Sequence, residues 1–162
     1  MSSLLTRSAL PRVIARTALI RPFATTYRFS SAKQSGIMSE ATNVYTKEAP
    51  FPLGPYSQAV KTPNAIYCSG QIPLTADGTF IEGSIADKTK QCIVNLEAVL
   101  KESGSAIQKV VKTTIFLSDM AHFAEMNGEY EKWFTHKPAR SCVAVKTLPK
   151  NVDVEIEAIA LP

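Results

Sequence analysis

Cysteine and histidine are too scarce in this 162-residue chain for the common disulfide and metal frameworks. The three cysteines, Cys68, Cys92 and Cys142, are an odd number at wide spacings with no C-x-x-C. That pattern suits a reducing compartment rather than a disulfide scaffold. His122 and His136 form no H-x-H or H-x-x-x-H pair, so no metal site is expected. Long apolar runs are missing too: nothing approaches the ~20 residues that a membrane-spanning helix needs, which argues against an integral membrane protein. There is no Gly-rich phosphate loop, internal repeat or low-complexity tract. What remains, with 45% hydrophobic and 20% charged residues, is the composition of a soluble globular protein long enough for one domain.

Acidic residues are also absent from the front of the chain. Residues 1–38 carry Arg7, Arg12, Arg16, Arg21, Arg28 and Lys33, and the first acid is Glu40. Leu4, Leu5, Val13, Ile14, Leu19 and Ile20 recur at helical spacing among these cations, so the segment predicts a cationic amphipathic helix of the mitochondrial transit type. Cleavage is expected between Tyr27 and Met38, with delivery to the matrix. The pI near 9.0 comes from this segment. Without its six cations, 12 Lys and Arg face 14 Asp and Glu, a net charge of −2. The body therefore has no excess positive charge for nucleic acid or an anionic membrane surface.

Residues 39–162 read as a single domain. Pro50, Pro52, Pro55 and Gly54 force an extended, turn-rich entry. Residues 56–73 predict a hairpin around Thr62-Pro63-Asn64, and residues 74–83 a loop. Over residues 84–103, Ile85, Thr89, Cys92, Ile93, Leu96, Val99 and Leu100 form one helical stripe, capped by Ser84 and Gly104. A β-branched strand follows from Val110. A second amphipathic helix carries Phe123, Met126, Tyr130, Trp133 and Phe134, and strands at 139–146 and 152–160 close the chain. The order β-β-α-β-α-β-β predicts an α+β fold with both helices on one face of a mixed sheet. No element is left for the other face, which predicts packing between subunits.

Arg140 is out of keeping with its strand. It shares a face with Cys142, while Asp153, Glu155 and Glu157 alternate against Val152, Val154 and Ile156 on the last strand. If these two strands pair as a hairpin, Arg140 gains acidic neighbours. Two readings then stand: an ion pair with Glu155 or Glu157, or a rigid fork for a carboxylate ligand.

The segments GPYSQAV (54–60), YCSGQIPL (67–74), NLEAVLKESG (95–104), VVKTTIFLSDM (110–120) and PARSCVAVKTLPKNVDVEIEAIA (138–160) together resemble the RidA (YjgF-type) family in order and spacing over residues 44–161. With the presequence, the chain resembles the mitochondrial branch, although the link THKP before Ala139 is shorter than in bacterial members. The resemblance implies a chorismate-mutase-like mixed β-sheet subunit and a homotrimer with clefts between subunits. It implies a deaminase that hydrolyses 2-iminopropanoate, 2-iminobutanoate and their enamine tautomers to 2-keto acids and ammonia without a cofactor. By motif, Arg140 would bind the carboxylate, Tyr56 and Ser69 would line the pocket, and Glu155 would sit near the attacking water. Cys142 and Asn127 would complete the binding set. The residues alone leave Tyr56 equally a packed strand aromatic, Ser69 a sheet hydroxyl, Cys142 a buried thiol and Glu155 a charge partner of Arg140. Two other classes compete: a non-enzymatic 2-keto acid-binding regulator or stabilising partner, and an RNA-directed nuclease or translation inhibitor, which the acidic body disfavours.

Overall fold

A computed structural model of the protein describes residues 40–162. The expected presequence and its cleavage site lie outside the described residues. The elements run β1 (Thr42–Val44), β2 (Ala59–Lys61), β3 (Ile66–Gln71), α1 (Ile85–Glu102), β4 (Val110–Leu117), α2 (Phe123–Trp133), β5 (Ala139–Ala144) and β6 (Val154–Ala160). Both expected helices form. α1 starts on a capping box in which the Ser84 hydroxyl accepts from the Asp87 amide and the Asp87 carboxylate accepts from the Ser84 amide, each at 3.1 Å. It ends at Ser103, after which Gly104 turns the chain with φ +77°.

The strands form one six-stranded sheet in the order β1-β2-β3-β6-β4-β5. β1 is an addition to the expected order. Three residues ahead of a proline-rich stretch are too few to show alternation, and the strand exists because Thr42 and Val44 pair with Lys61 and Ala59. The expected hairpin of the last two strands does not form. β4-α2-β5 is a crossover, so β5 lies parallel to β4 with Thr113 beside Arg140. β6 instead runs antiparallel to both β3 and β4 and fills the gap between them, with Cys68 and Thr113 flanking Ala158 on either side. The alternation of VEIEAIA suits that central place, because one face of every central strand must be buried.

Val154, Ile156, Ala158 and Ala160 of β6 meet Cys92, Ile93, Leu96, Val99 and Leu100 of α1 and Met126 and Tyr130 of α2 in the main core. Each large side chain of this kind contributes ~1.5–3 kcal/mol by leaving water. The opposite face has no second layer among the described residues. Tyr67 and Val143 are left half-exposed on it at 50% and 45%. No helix among the described residues is long and apolar enough to cross a membrane.

Candidate functional site

The open face holds a pocket of about 560 Å³ lined by Leu53, Tyr56, Ser69, Gly70, Ile72, Pro149, Lys150, Glu155 and Glu157. Three of the expected site residues meet there. Glu155 projects from β6 and lies directly over Gly70 of β3: a Cβ on that glycine would come within 2.8 Å of the Glu155 carboxyl carbon. The absent side chain is what gives the carboxylate its place. Burial raises the Glu155 carboxyl above the ordinary glutamate range, and repulsion from Glu157 adds to the shift. Ser69 donates its hydroxyl to the Ser57 carbonyl at 2.7 Å, which leaves the oxygen lone pairs for a ligand. Tyr56 is half-exposed at the mouth, and its phenol oxygen accepts from the Leu53 amide at 3.1 Å.

Sequence reasoning missed two supports of this pocket. Gln58 is buried, accepts from the Thr46 amide at 2.7 Å, and donates to the Thr46 and Pro50 carbonyls at 3.1 and 2.9 Å. It thus ties the proline-rich entry segment behind the Tyr56 wall. Lys150, at the pocket rim, and Asn151 after it both take left-handed backbone, φ 58° and 57°. A buried glutamine inside a motif is the only signal that could have pointed to the first, and nothing in the sequence marks the second.

The remaining three residues gather elsewhere. Arg140, beside Thr113 in the sheet, points to the helix-covered face, because Thr113 is buried there and laterally paired residues share a face. Its Nη1 donates to Asn127 Oδ1 of α2 at 2.7 Å. Its guanidinium lies over the Tyr130 ring at 4.9 Å and near the Phe123 ring at 5.8 Å. Cys142, two residues on, packs partly buried against the main core, and burial raises its thiol even though Arg140 opposes the shift. Cys68 is pushed up to about 12 by burial, and Cys92 is raised for the same reason, so these two are core thiols.

Glu155 belongs to the other face, beside Phe116 rather than Thr113. The ion pair between Arg140 and Glu155 or Glu157 therefore does not form. It required a β5-β6 hairpin, and β4 lies between those strands. Among the described residues the ion pairs are Lys88 with Asp153 at 2.6 Å and Lys132 with Glu129 at 2.7 Å. The short link before β5 closes as a turn, with the Lys137 amide on the Phe134 carbonyl at 3.0 Å and Lys137 at φ 56°.

Residues 46–162 match the family model described as Endoribonuclease L-PSP. The chain belongs to this L-PSP family, also written YjgF or RidA. The L-PSP domain is 53% identical over 125 residues to Protein HMF1 of Saccharomyces cerevisiae, covering 76% of this chain and 97% of that one. It is 51% identical over 121 residues to Protein MMF1, mitochondrial, of the same yeast, covering 74% and 83%. Among solved structures it resembles E. coli TdcF with bound serine at 34% identity and TM-score 0.72, over 75% of this chain and 98% of that one. Two helices on a mixed six-stranded sheet are thus the family's fold.

Proposed function

We propose that this L-PSP domain is a deaminase that hydrolyses 2-iminopropanoate, 2-iminobutanoate and their enamine tautomers to 2-keto acids and ammonia, acting as a homotrimer in the mitochondrial matrix. The observation that carries the reading is Glu155, a carboxylate pressed over Gly70 with a raised pKa inside an open pocket. Carboxyls tuned upward in this way suit proton transfer near neutral pH. A regulator that only bound 2-keto acids would gain nothing from a carboxylate facing an anionic ligand, so Glu155 favours the enzyme over the binder.

The substrate carboxylate needs a cation, and Arg140 of the same chain faces the other side of the sheet. Because Arg140 lies on the edge strand β5 and the open face lacks a cover, packing that face against a neighbour's β5 edge supplies the missing guanidinium. In this trimer the neighbour's Arg140 holds the carboxylate, and Cys142 forms part of the wall. Tyr56 and Ser69 border the reacting carbon. Glu155 takes a proton from water as its oxygen adds to the iminium carbon. The same proton then passes to nitrogen, and as the C–N bond breaks Glu155 takes the carbinolamine hydroxyl proton, so that the ketone forms and the departing ammonia carries that proton away as ammonium. An iminium carbon is already electrophilic, so positioning and one proton shuttle suffice without a cofactor.

A nuclease would need a basic track for its polyanionic strand, whereas this pocket carries Glu155 and Glu157 against Lys150. The serine-bound TdcF relative supports a small amino acid-like ligand. The mitochondrial MMF1 relative, together with the Arg-rich acid-free front of the chain, supports the location.

The test is ammonia release from freshly generated 2-iminopropanoate and 2-iminobutanoate. The protein should exceed the spontaneous rate, and Arg140→Ala should lower kcat/KM by ~30-fold to several thousand-fold, the usual loss when one member of a desolvated charge pair is truncated. Arg140→Lys, which keeps the charge and loses the fork, should recover only part of this. Release at the spontaneous rate, or an Arg140→Ala protein that is fully active, would overturn the proposal.

A further inference from the structure

Arg140 does not hang free at the sheet edge. Phe123, Asn127 and Tyr130 stand at i, i+4 and i+7 on α2, one helical face, and all three meet the same guanidinium. The Tyr130 ring is the closer of the two aromatics, at 4.9 Å, and it is fixed from behind. It stacks on Phe134 with centroids 4.3 Å apart and an interplanar angle of 20°. Its hydroxyl bonds to the Thr113 hydroxyl at 2.8 Å inside the core. Thr113 is the residue beside Arg140 across the β4-β5 ladder. The ring that carries the guanidinium is therefore tied to the strand next to the one that carries the arginine.

From this circuit we infer that Tyr130, anchored by Thr113, is a positioning residue that fixes the plane of the Arg140 guanidinium before any ligand arrives. The inference rests on the carboxylate-binding reading of Arg140 proposed above. The Tyr130 ring lies beneath the guanidinium carbon, and Asn127 occupies one N–H at Nη1. The other N–H donors stay in the plane for a carboxylate. An arginine held this way loses little rotamer freedom on binding, so the circuit acts on affinity more than on the chemical step. Tyr130 is also a core side chain, and a purely structural role would lower stability without regard to Arg140.

The experiment measures calorimetric binding of 2-oxobutanoate, a stable 2-keto acid, together with KM and kcat, on the full-length protein. Melting temperature and the fluorescence of Trp133, the only tryptophan, report folding. Tyr130→Leu and Asn127→Ala should each weaken binding by about ten-fold and raise KM more than they lower kcat. Tyr130→Phe and Thr113→Val, which keep the ring and cut its anchor, should each weaken binding by about three-fold. In an Arg140→Lys background, where no plane exists to orient, Asn127→Ala and Tyr130→Leu should each change affinity less than about two-fold.

Folded Tyr130→Leu and Asn127→Ala proteins that bind like the parent would overturn the inference, and so would equal losses in the Arg140 and Arg140→Lys backgrounds. If Tyr130→Leu does not fold, Tyr130→Phe and Thr113→Val decide: losses of about three-fold confined to the Arg140 background support it, and anything less contradicts it. Arg140→Ala binding 2-oxobutanoate as tightly as the parent would instead sink the carboxylate reading, and this inference would fall with it.

Discussion

On β6, Val154, Ile156, Ala158 and Ala160 point into the helices and are almost wholly buried. Glu155, Glu157 and Ile159, each one residue away, point from the other face and keep partial solvent contact. The covered face is set by packing, and its side chains are exchangeable only at the cost of a cavity. The open face keeps Glu155 and Glu157 at the pocket, the first a carboxylate that burial has made harder to ionise. Within a single strand, then, one set of alternate residues builds the core and the other borders the pocket.

Substitutions on the two faces should separate these roles. The largest stability effect is expected from Ile156→Ala, ~2–5 kcal/mol in urea denaturation, because the side chain is fully buried between sheet and helices. Glu157→Ala, on the open face, should stay within about 0.5 kcal/mol. A loss at position 157 as large as that at 156 would break the comparison. Gly70→Ala should come next, since the added methyl overlaps the Glu155 carboxyl and must displace it. A stability loss of ~1–3 kcal/mol with a larger relative fall in kcat is expected. Unchanged stability and turnover would mean that Glu155 does not rest on that glycine.

The smallest effect concerns pH. Because the folded-state pKa of Glu155 is raised, this group's contribution to stability is present below its unfolded value, near pH 4, and is lost as pH rises through the folded value. Glu155→Gln should therefore melt slightly higher than the parent at neutral pH, with the difference vanishing toward pH 4, while its kcat falls. A Glu155→Gln protein less stable at pH 7 would reverse the sign and point to a structural charge partner.

Much of the fold was legible because burial leaves a period. The α1 stripe from Ile85 to Leu100 and the β6 alternation are such periods, and both elements formed where expected. Pairing was less legible. The β-branched run from Val110, the Phe123 helix and the Arg140 strand spell a parallel crossover, yet short sequence distance between the last two strands suggested a hairpin instead. That error carried over to Arg140, whose side chain meets Asn127 and Tyr130 rather than acids. The motif residues Tyr56, Ser69 and Glu155 did converge, but nothing in a linear alternation of residues reveals that they and Arg140 leave the sheet on opposite faces. Gln58 and Thr113 escaped notice because a buried polar residue is recognised by its partners, which the sequence does not show.

That separation of faces makes the central claim, a site shared between subunits, directly measurable by complementation. Arg140→Ala and Glu155→Gln proteins, each inactive alone, would be unfolded together, mixed equally and refolded, so that subunits assort. In a trimer whose sites take Glu155 from one subunit and Arg140 from the next, about one quarter of the sites become wholly native, and imine hydrolysis should return to about one quarter of the wild-type rate. A mixture no more active than the two variants measured separately would contradict a shared site.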